Sequence, residues 1–184
     1  MSRYMIQQRE ELLIVSNLKG KIMSNPKDQN PFLLGRIKYV KGSASRPQAG
    51  DNRTIAIFCT DTGGFEEVER NEELSKTWEK AKTVYRAWWR SQKNFKTGNF
   101  QAEQIMSDTE VAHLISCVRV DNETFFEEEA TRNALDALGK HCSMNKTNVH
   151  INKCGSEKEW EVIEGLIAET LQKRGVHVFV YENE

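Results

Sequence analysis

The sequence lacks the residue spacing of a metal site. Its four cysteines, Cys59, Cys117, Cys142 and Cys154, form no Cys-x-x-Cys pair and no zinc-type pairing with histidine. No metal and no cofactor is expected, and the scattered thiols read as reduced intracellular groups. An excess of charge of either sign is also missing. With 26 basic residues against 27 acidic ones, no global field draws the chain to nucleic acid or to a membrane. No run of about eighteen apolar residues occurs. The stretch Met1-Ser2-Arg3-Tyr4-Met5-Ile6-Gln7-Gln8-Arg9-Glu10 has no apolar core of the secretory type. A cytoplasmic or nuclear protein with no membrane partner is the expectation. The sequons at Asn52, Asn122 and Asn145 then carry no weight, because their chemistry belongs to the secretory route. Internal repeats and low-complexity tracts are absent.

What is present is the alternation of an α/β chain. At 184 residues there is room for one domain with a self-sufficient core. Residues 1–33 read as an N-terminal extension, with a short apolar run at Leu12–Val15 that suits an edge strand and a turn-prone stretch from Ser24 to Pro31. Residues 34–184 read as the domain. Strands are predicted at Ile37–Val40, Thr54–Phe58, Phe100–Met106, Val111–Val118, Asn148–Ile151 and Val176–Tyr181. Three helices are predicted between them. Leu74, Trp78, Ala81, Tyr85 and Trp88 form one stripe at spacings of three and four. A second helix is predicted to open with a capping box at Thr124-Phe125-Phe126-Glu127 and to bury Ala130, Ala134, Leu135, Leu138 and Cys142. The third carries Trp160, Ile163, Ile167 and Leu171 and is stopped by Gly175.

Three segments, taken in order, resemble the macro domain, an α/β/α module that binds ADP-ribose and in some members hydrolyses ADP-ribosyl bonds or ADP-ribose 1″-phosphate. The first is Ile37-Lys38-Tyr39-Val40-Lys41-Gly42-Ser43-Ala44-Ser45-Arg46-Pro47-Gln48. The second is Ile55-Ala56-Ile57-Phe58-Cys59-Thr60-Asp61-Thr62-Gly63-Gly64-Phe65, followed by Trp78 and Tyr85-Arg86-Ala87-Trp88. The third is Asn148-Val149-His150-Ile151-Asn152-Lys153-Cys154-Gly155, then Trp160 and the strand ending at Tyr181. With Val111–Ser116 the likeness covers roughly residues 35 to 184. It implies a three-layer α/β/α fold with a mixed central sheet. It also implies a ligand site built from Ser43, Ala44, Thr60, Asp61, Gly63, Gly64 and Phe65 on one side and Lys153, Cys154 and Gly155 on the other, with Asp61 as the polar candidate for catalysis.

The departures fall on the ligand. The family's aspartate for the adenine amino group is Ser43, and the asparagine near the distal ribose is Thr60. After Gly63-Gly64 come Glu66, Glu67, Glu69, Glu72 and Glu73 with Arg70 among them. Like charges about 4 Å apart repel by about 4 kcal/mol at an effective dielectric of about 20, a poor surrounding for a diphosphate. The second loop is shortened to Lys153-Cys154-Gly155, and Ser156-Glu157-Lys158-Glu159 can cap its own helix. The residues therefore support weak or lost ADP-ribose recognition without catalysis. A hydrolase using Asp61, and a degenerate domain serving as a protein-interaction scaffold, are the alternatives. Partners are accordingly ADP-ribose, an ADP-ribosylated protein or another protein.

Other features read as structural. A Cys154 thiolate with His150 as base would lack an orienting third group. The mixture of Tyr85, Trp88, Trp89 and Phe95 with basic residues formally resembles a stacking platform for single-stranded nucleic acid. Tyr85 and Trp88 belong to the core stripe, however, which favours a solvated basic helix end. The glutamate run reads as a solvated face or as helix N-terminal charge.

Overall fold

The computed structural model describes residues 34–48, 50 and 52–183. The proposed extension and its strand at Leu12–Val15 lie outside them. In chain order the elements are β1 (Ile37–Lys41), β2 (Arg53–Thr60), a short turn at Phe65–Glu67, α1 (Asn71–Thr77), α2 (Glu79–Ser91), β3 (Phe100–Met106), β4 (Thr109–Val120), β5 (Glu123–Phe126), α3 (Glu128–Asn145), β6 (Asn148–Asn152), α4 (Glu157–Thr170), a turn at Gln172–Arg174, and β7 (Val178–Glu182). The sheet runs β1-β7-β6-β2-β4-β3, with β5 also on β4. Neighbours among β1, β7, β6, β2 and β4 pair in parallel, whereas β3 and β5 are antiparallel to β4.

Period-two alternation divides the core between the two faces of this sheet. Ile55, Ile57 and Cys59 join Val111, Ile115 and Tyr181 under Leu74 of α1 and Ala81, Tyr85 and Trp88 of α2. Ala56 and Phe58 join Leu114, Val149, Ile151 and Val180 under Leu135 and Leu138 of α3 and Trp160, Ile163 and Ile167 of α4. Each fully buried Leu or Ile contributes about 1.5–3 kcal/mol, so both faces are held by their helices. The result is the expected three-layer α/β/α fold with a mixed sheet.

Two expectations need correcting. The helix stripe from Leu74 to Trp88 is broken, because Trp78 leaves helical geometry (φ −117°, ψ 66°) between α1 and α2. Thr124 caps no helix either. Residues Glu123–Phe126 form β5, joined to β4 by an Asp121-Asn122 turn with φ of 49° and 69°. Positive φ at both positions is the hairpin turn that Asp and Asn tolerate. The Thr124 hydroxyl donates instead to the Glu67 carbonyl (3.1 Å), and α3 begins at Glu128.

Parallel pairing brings the C-terminal ends of β1, β2 and β6 to one edge of the sheet, the edge at which α/β proteins place ligands. The segments after Lys41, after Thr60 and after Asn152 therefore meet there.

Candidate functional site

The loop after β2 is fixed from below. Asn71 is buried and donates its amide to the carbonyls of Phe58 (2.8 Å) and Phe65 (2.9 Å). Tyr85 donates its hydroxyl to the Thr60 carbonyl (2.8 Å). Phe65 is fully buried and packs on Tyr85 and His113, with ring centres 5.7 and 6.1 Å away. Phe65 thus anchors the loop with its ring inside the core. The loop after β1 is tied to β6 by the Ala44 amide, which donates to the Asn152 Oδ1 (2.7 Å).

The glycine positions are covered by the chain's own side chains. Gly63 has φ 87°, and the Trp89 indole lies where a Cβ would stand. At Gly64 the same space holds the Glu67 side chain. Glycine is required here because backbone and side chain approach closely. The Glu67 carboxylate accepts the Thr60 hydroxyl (2.6 Å), the Thr62 hydroxyl and the Arg119 guanidinium. Burial alone would raise its pKa, but these three donors outweigh burial and hold it below the usual carboxylate range. Glu66 is likewise lowered against its burial by Lys82 and Arg86. The expectation of a solvated glutamate face therefore fails for Glu67, which is turned inward and paired with Arg119, while Glu66, paired with Lys82 and Arg86, and Glu69 stay exposed. Glu72 and Glu73 do stand in the first turn of α1.

The second loop faces the first across one hydrogen bond. The Gly155 amide donates to Glu69 Oε2 (3.2 Å). One residue on, the Ser156 amide donates to Glu159 Oε2 (2.8 Å), and the Glu159 amide donates back to the Ser156 hydroxyl (3.3 Å). This is the expected capping box, complete in both directions. Hydrogen bonds from Ser156 lower the Glu159 pKa despite partial burial. The start of α4, where helix amides favour an anion, is thus filled by two carboxylates of the same chain.

Several solved structures share this architecture. The macrodomain protein of Streptomyces coelicolor aligns over 80% of this chain and 99% of its own, with 29% identity and a TM-score of 0.73. The chain has a macro-domain fold. A protein of unknown function from Bacteroides thetaiotaomicron aligns with 27% identity over 82% of this chain and 99% of its own, at a TM-score of 0.73. At 12% identity the macrodomain of Thermus aquaticus DarG matches in fold, covering 80% of this chain and 99% of its own with a TM-score of 0.65. No protein-family model and no curated protein matches the sequence.

Within this macro-domain frame the sequence-predicted site residues converge from three segments but differ in availability. Ser43 donates to Glu73 Oε2 (2.6 Å) and accepts the Ser45 amide (3.1 Å). Ala44 and Thr60 are buried. Asp61 is exposed and makes no side-chain hydrogen bond among the described residues. Lys153 Nζ lies 3.1 Å from Glu157 and 3.4 Å from Glu182. Cys154 is buried, and burial pushes its thiol well above the ordinary range. His150 cannot serve it as a base, because its Nδ1 is 2.9 Å from the Tyr181 hydroxyl and its ring stacks on Phe179 at 4.7 Å. Burial lowers the His150 pKa to about 4.

Sequence reasoning did not single out Arg119, Asn71 or Trp89 as parts of these loops. Arg119 and Asn71 are separated from the positions they hold by strand and loop, and no local pattern marks them. The one available signal was the pairing of Gly63-Gly64 with a bulky Trp89 on the following amphipathic helix.

Proposed function

We propose that this chain is a non-catalytic macro-domain module in which Glu67, Glu69 and Glu159 occupy the anion positions of the two phosphate loops, so that ADP-ribose recognition is weak or lost. The hydrogen bond from Gly155 to Glu69 carries this reading. A diphosphate entering there must displace a carboxylate already bound to backbone and must share the space with Glu67 over Gly64. Each like-charge contact at about 4 Å opposes binding by up to about 4 kcal/mol at an effective dielectric of about 20. A micromolar ligand has only about 8 kcal/mol in all.

Catalysis is disfavoured for a separate reason. Among the described residues Asp61 has no histidine, lysine or second acid bonded to it that would tune it as a general base. The hydrolase alternative therefore lacks a supporting contact, and a module that meets its partners by its surface is favoured over an enzyme. Calorimetry with ADP-ribose, together with a turnover assay on ADP-ribosylated protein, tests both halves. Low-micromolar binding by the unmodified chain contradicts the occupied loops, and turnover contradicts the absence of catalysis.

A further inference from the structure

A second concavity lies beside the closed loops. It has a volume of about 540 Å³ and its polar lining includes Lys41, Ser43, Arg46, Arg70, Glu73 and Lys76, a size within the usual range of small-molecule sites. Four cations face one carboxylate. Three of the cations already have a carboxylate within 4 Å, Arg70 through Glu73 itself. Lys41 lies 3.8 Å from Glu182, and Lys76 lies 2.9 Å from Glu72 in a pair more than two-thirds exposed, where such pairs are weak. Arg46 is exposed and forms no ion pair among the described residues.

Arg70 is the unusual member. Its side chain is only 6% exposed. Its backbone is left-handed (φ 68°) at the start of α1, a conformation that costs a non-glycine residue of order 1–3 kcal/mol. The guanidinium donates to the Tyr181 carbonyl (2.7 Å) and the Gly42 carbonyl (2.6 Å), and its Nε is buried without a partner among the described residues. Carbonyl dipoles leave the full charge of a buried guanidinium incompletely balanced. The one carboxylate paired with it among the described residues, Glu73, is 3.4 Å away, half-exposed, and also held by Ser43.

We propose that this cavity binds a phosphate monoester, which takes the place of the Glu73 carboxylate. A dianion here gains the charge of Arg70 and Arg46 together with the Ser43 and Ser45 hydroxyls, and guanidinium is the side chain best matched to phosphate. Glu73 sits in the first turn of a short helix facing solvent, so it swings out without disturbing the core. The cavity shares Ser43 with the ligand site implied by the resemblance, but none of its lining residues comes from residues 60–67 or 153–156, so it does not depend on the diphosphate loops being open.

The source of the phosphate is either a free nucleotide or a phosphorylated protein side chain. Titrating the full chain at low ionic strength with inorganic phosphate, adenosine monophosphate and phosphoserine, followed by NMR of backbone amides and of the Arg70 Nε–H, separates them. Saturable shifts at Gly42–Arg46 and Arg70 are expected. Glu73→Gln should tighten binding about tenfold by removing the competing anion, and the double variant Arg46→Ser, Lys76→Ser should weaken it at least about tenfold. Stronger binding of the nucleotide than of inorganic phosphate supports a nucleotide source, and stronger binding of phosphoserine supports a protein source. Absence of saturable shifts with all three probes overturns the proposal. So do shifts that the double variant leaves unchanged, or shifts confined to Gly63, Gly64 and Gly155.

Discussion

Replacing Glu67 by glutamine removes one charge and leaves the shape of the loop intact. In the folded protein this carboxylate accepts the Thr60 hydroxyl at 2.6 Å, the Thr62 hydroxyl and the Arg119 guanidinium, with its side chain 19% exposed. Hydrogen bonds to an ionised group contribute roughly 1.5–3 kcal/mol each where water is excluded. Desolvation of the carboxylate and the exposure of Arg119 offset part of this, so Glu67→Gln should cost about 1–3 kcal/mol at neutral pH. In a chain of this length each kcal/mol lowers Tm by about 2–4 °C. Urea unfolding and thermal melts of the two proteins measure the difference. Its pH dependence has a definite sign. Because the folded pKa lies below the unfolded one, the contribution is complete above the unfolded value of about 4.3 and is lost as pH falls through the folded value. The gap between wild type and Glu67→Gln should therefore shrink below about pH 4. A variant as stable as wild type at neutral pH, or a gap that persists unchanged in acid, would refute the ion-pair network.

Other consequences are open to direct measurement. His113 is fully buried and His150 nearly so, and burial holds each pKa down at about 4. Unfolding lets them bind protons near pH 6.5, so stability should be complete above about pH 6.5 and fall by roughly 2–3 kcal/mol per histidine as pH drops towards 4. His113→Leu should flatten that slope in urea titrations, and an unchanged slope would count against it. Ser156→Ala removes the α4 cap and should cost about 1 kcal/mol in the same assay. All four cysteines are buried with thiols raised by burial, so an aromatic disulfide reagent should label none in the native state and all four in denaturant.

The sequence carried the fold through its periodicities. The run Ile55-Ala56-Ile57-Phe58 reads as a strand buried on both faces, and Trp160, Ile163 and Ile167 read as one helix stripe. These are local patterns, and packing preserved them. The break at Trp78 was illegible because neither proline nor glycine marks it. At Thr124 two local patterns compete: Thr-x-x-Glu suits a helix start, but the Asp121-Asn122 turn folds the same residues into a hairpin. In the candidate site the difference is one of range. Ser156 and Glu159 are three residues apart, and their capping box could be read directly. Glu69 and Gly155 are 86 residues apart, and only the parallel pairing of β2 with β6 brings their loops together. Likewise, the charge of the glutamate run was plain, but its direction was set by Arg119, Lys82 and Arg86, whose positions depend on tertiary structure.

Occupation of the phosphate loops by the chain's own carboxylates is tested most directly by calorimetry with ADP-ribose on the wild-type chain and on the double variant Glu67→Gln, Glu69→Gln. The expected result is no low-micromolar binding by wild type and a gain of at least about tenfold in the variant, the equivalent of about 1.4 kcal/mol. Low-micromolar binding by wild type, undiminished or weakened by the double substitution, would contradict it.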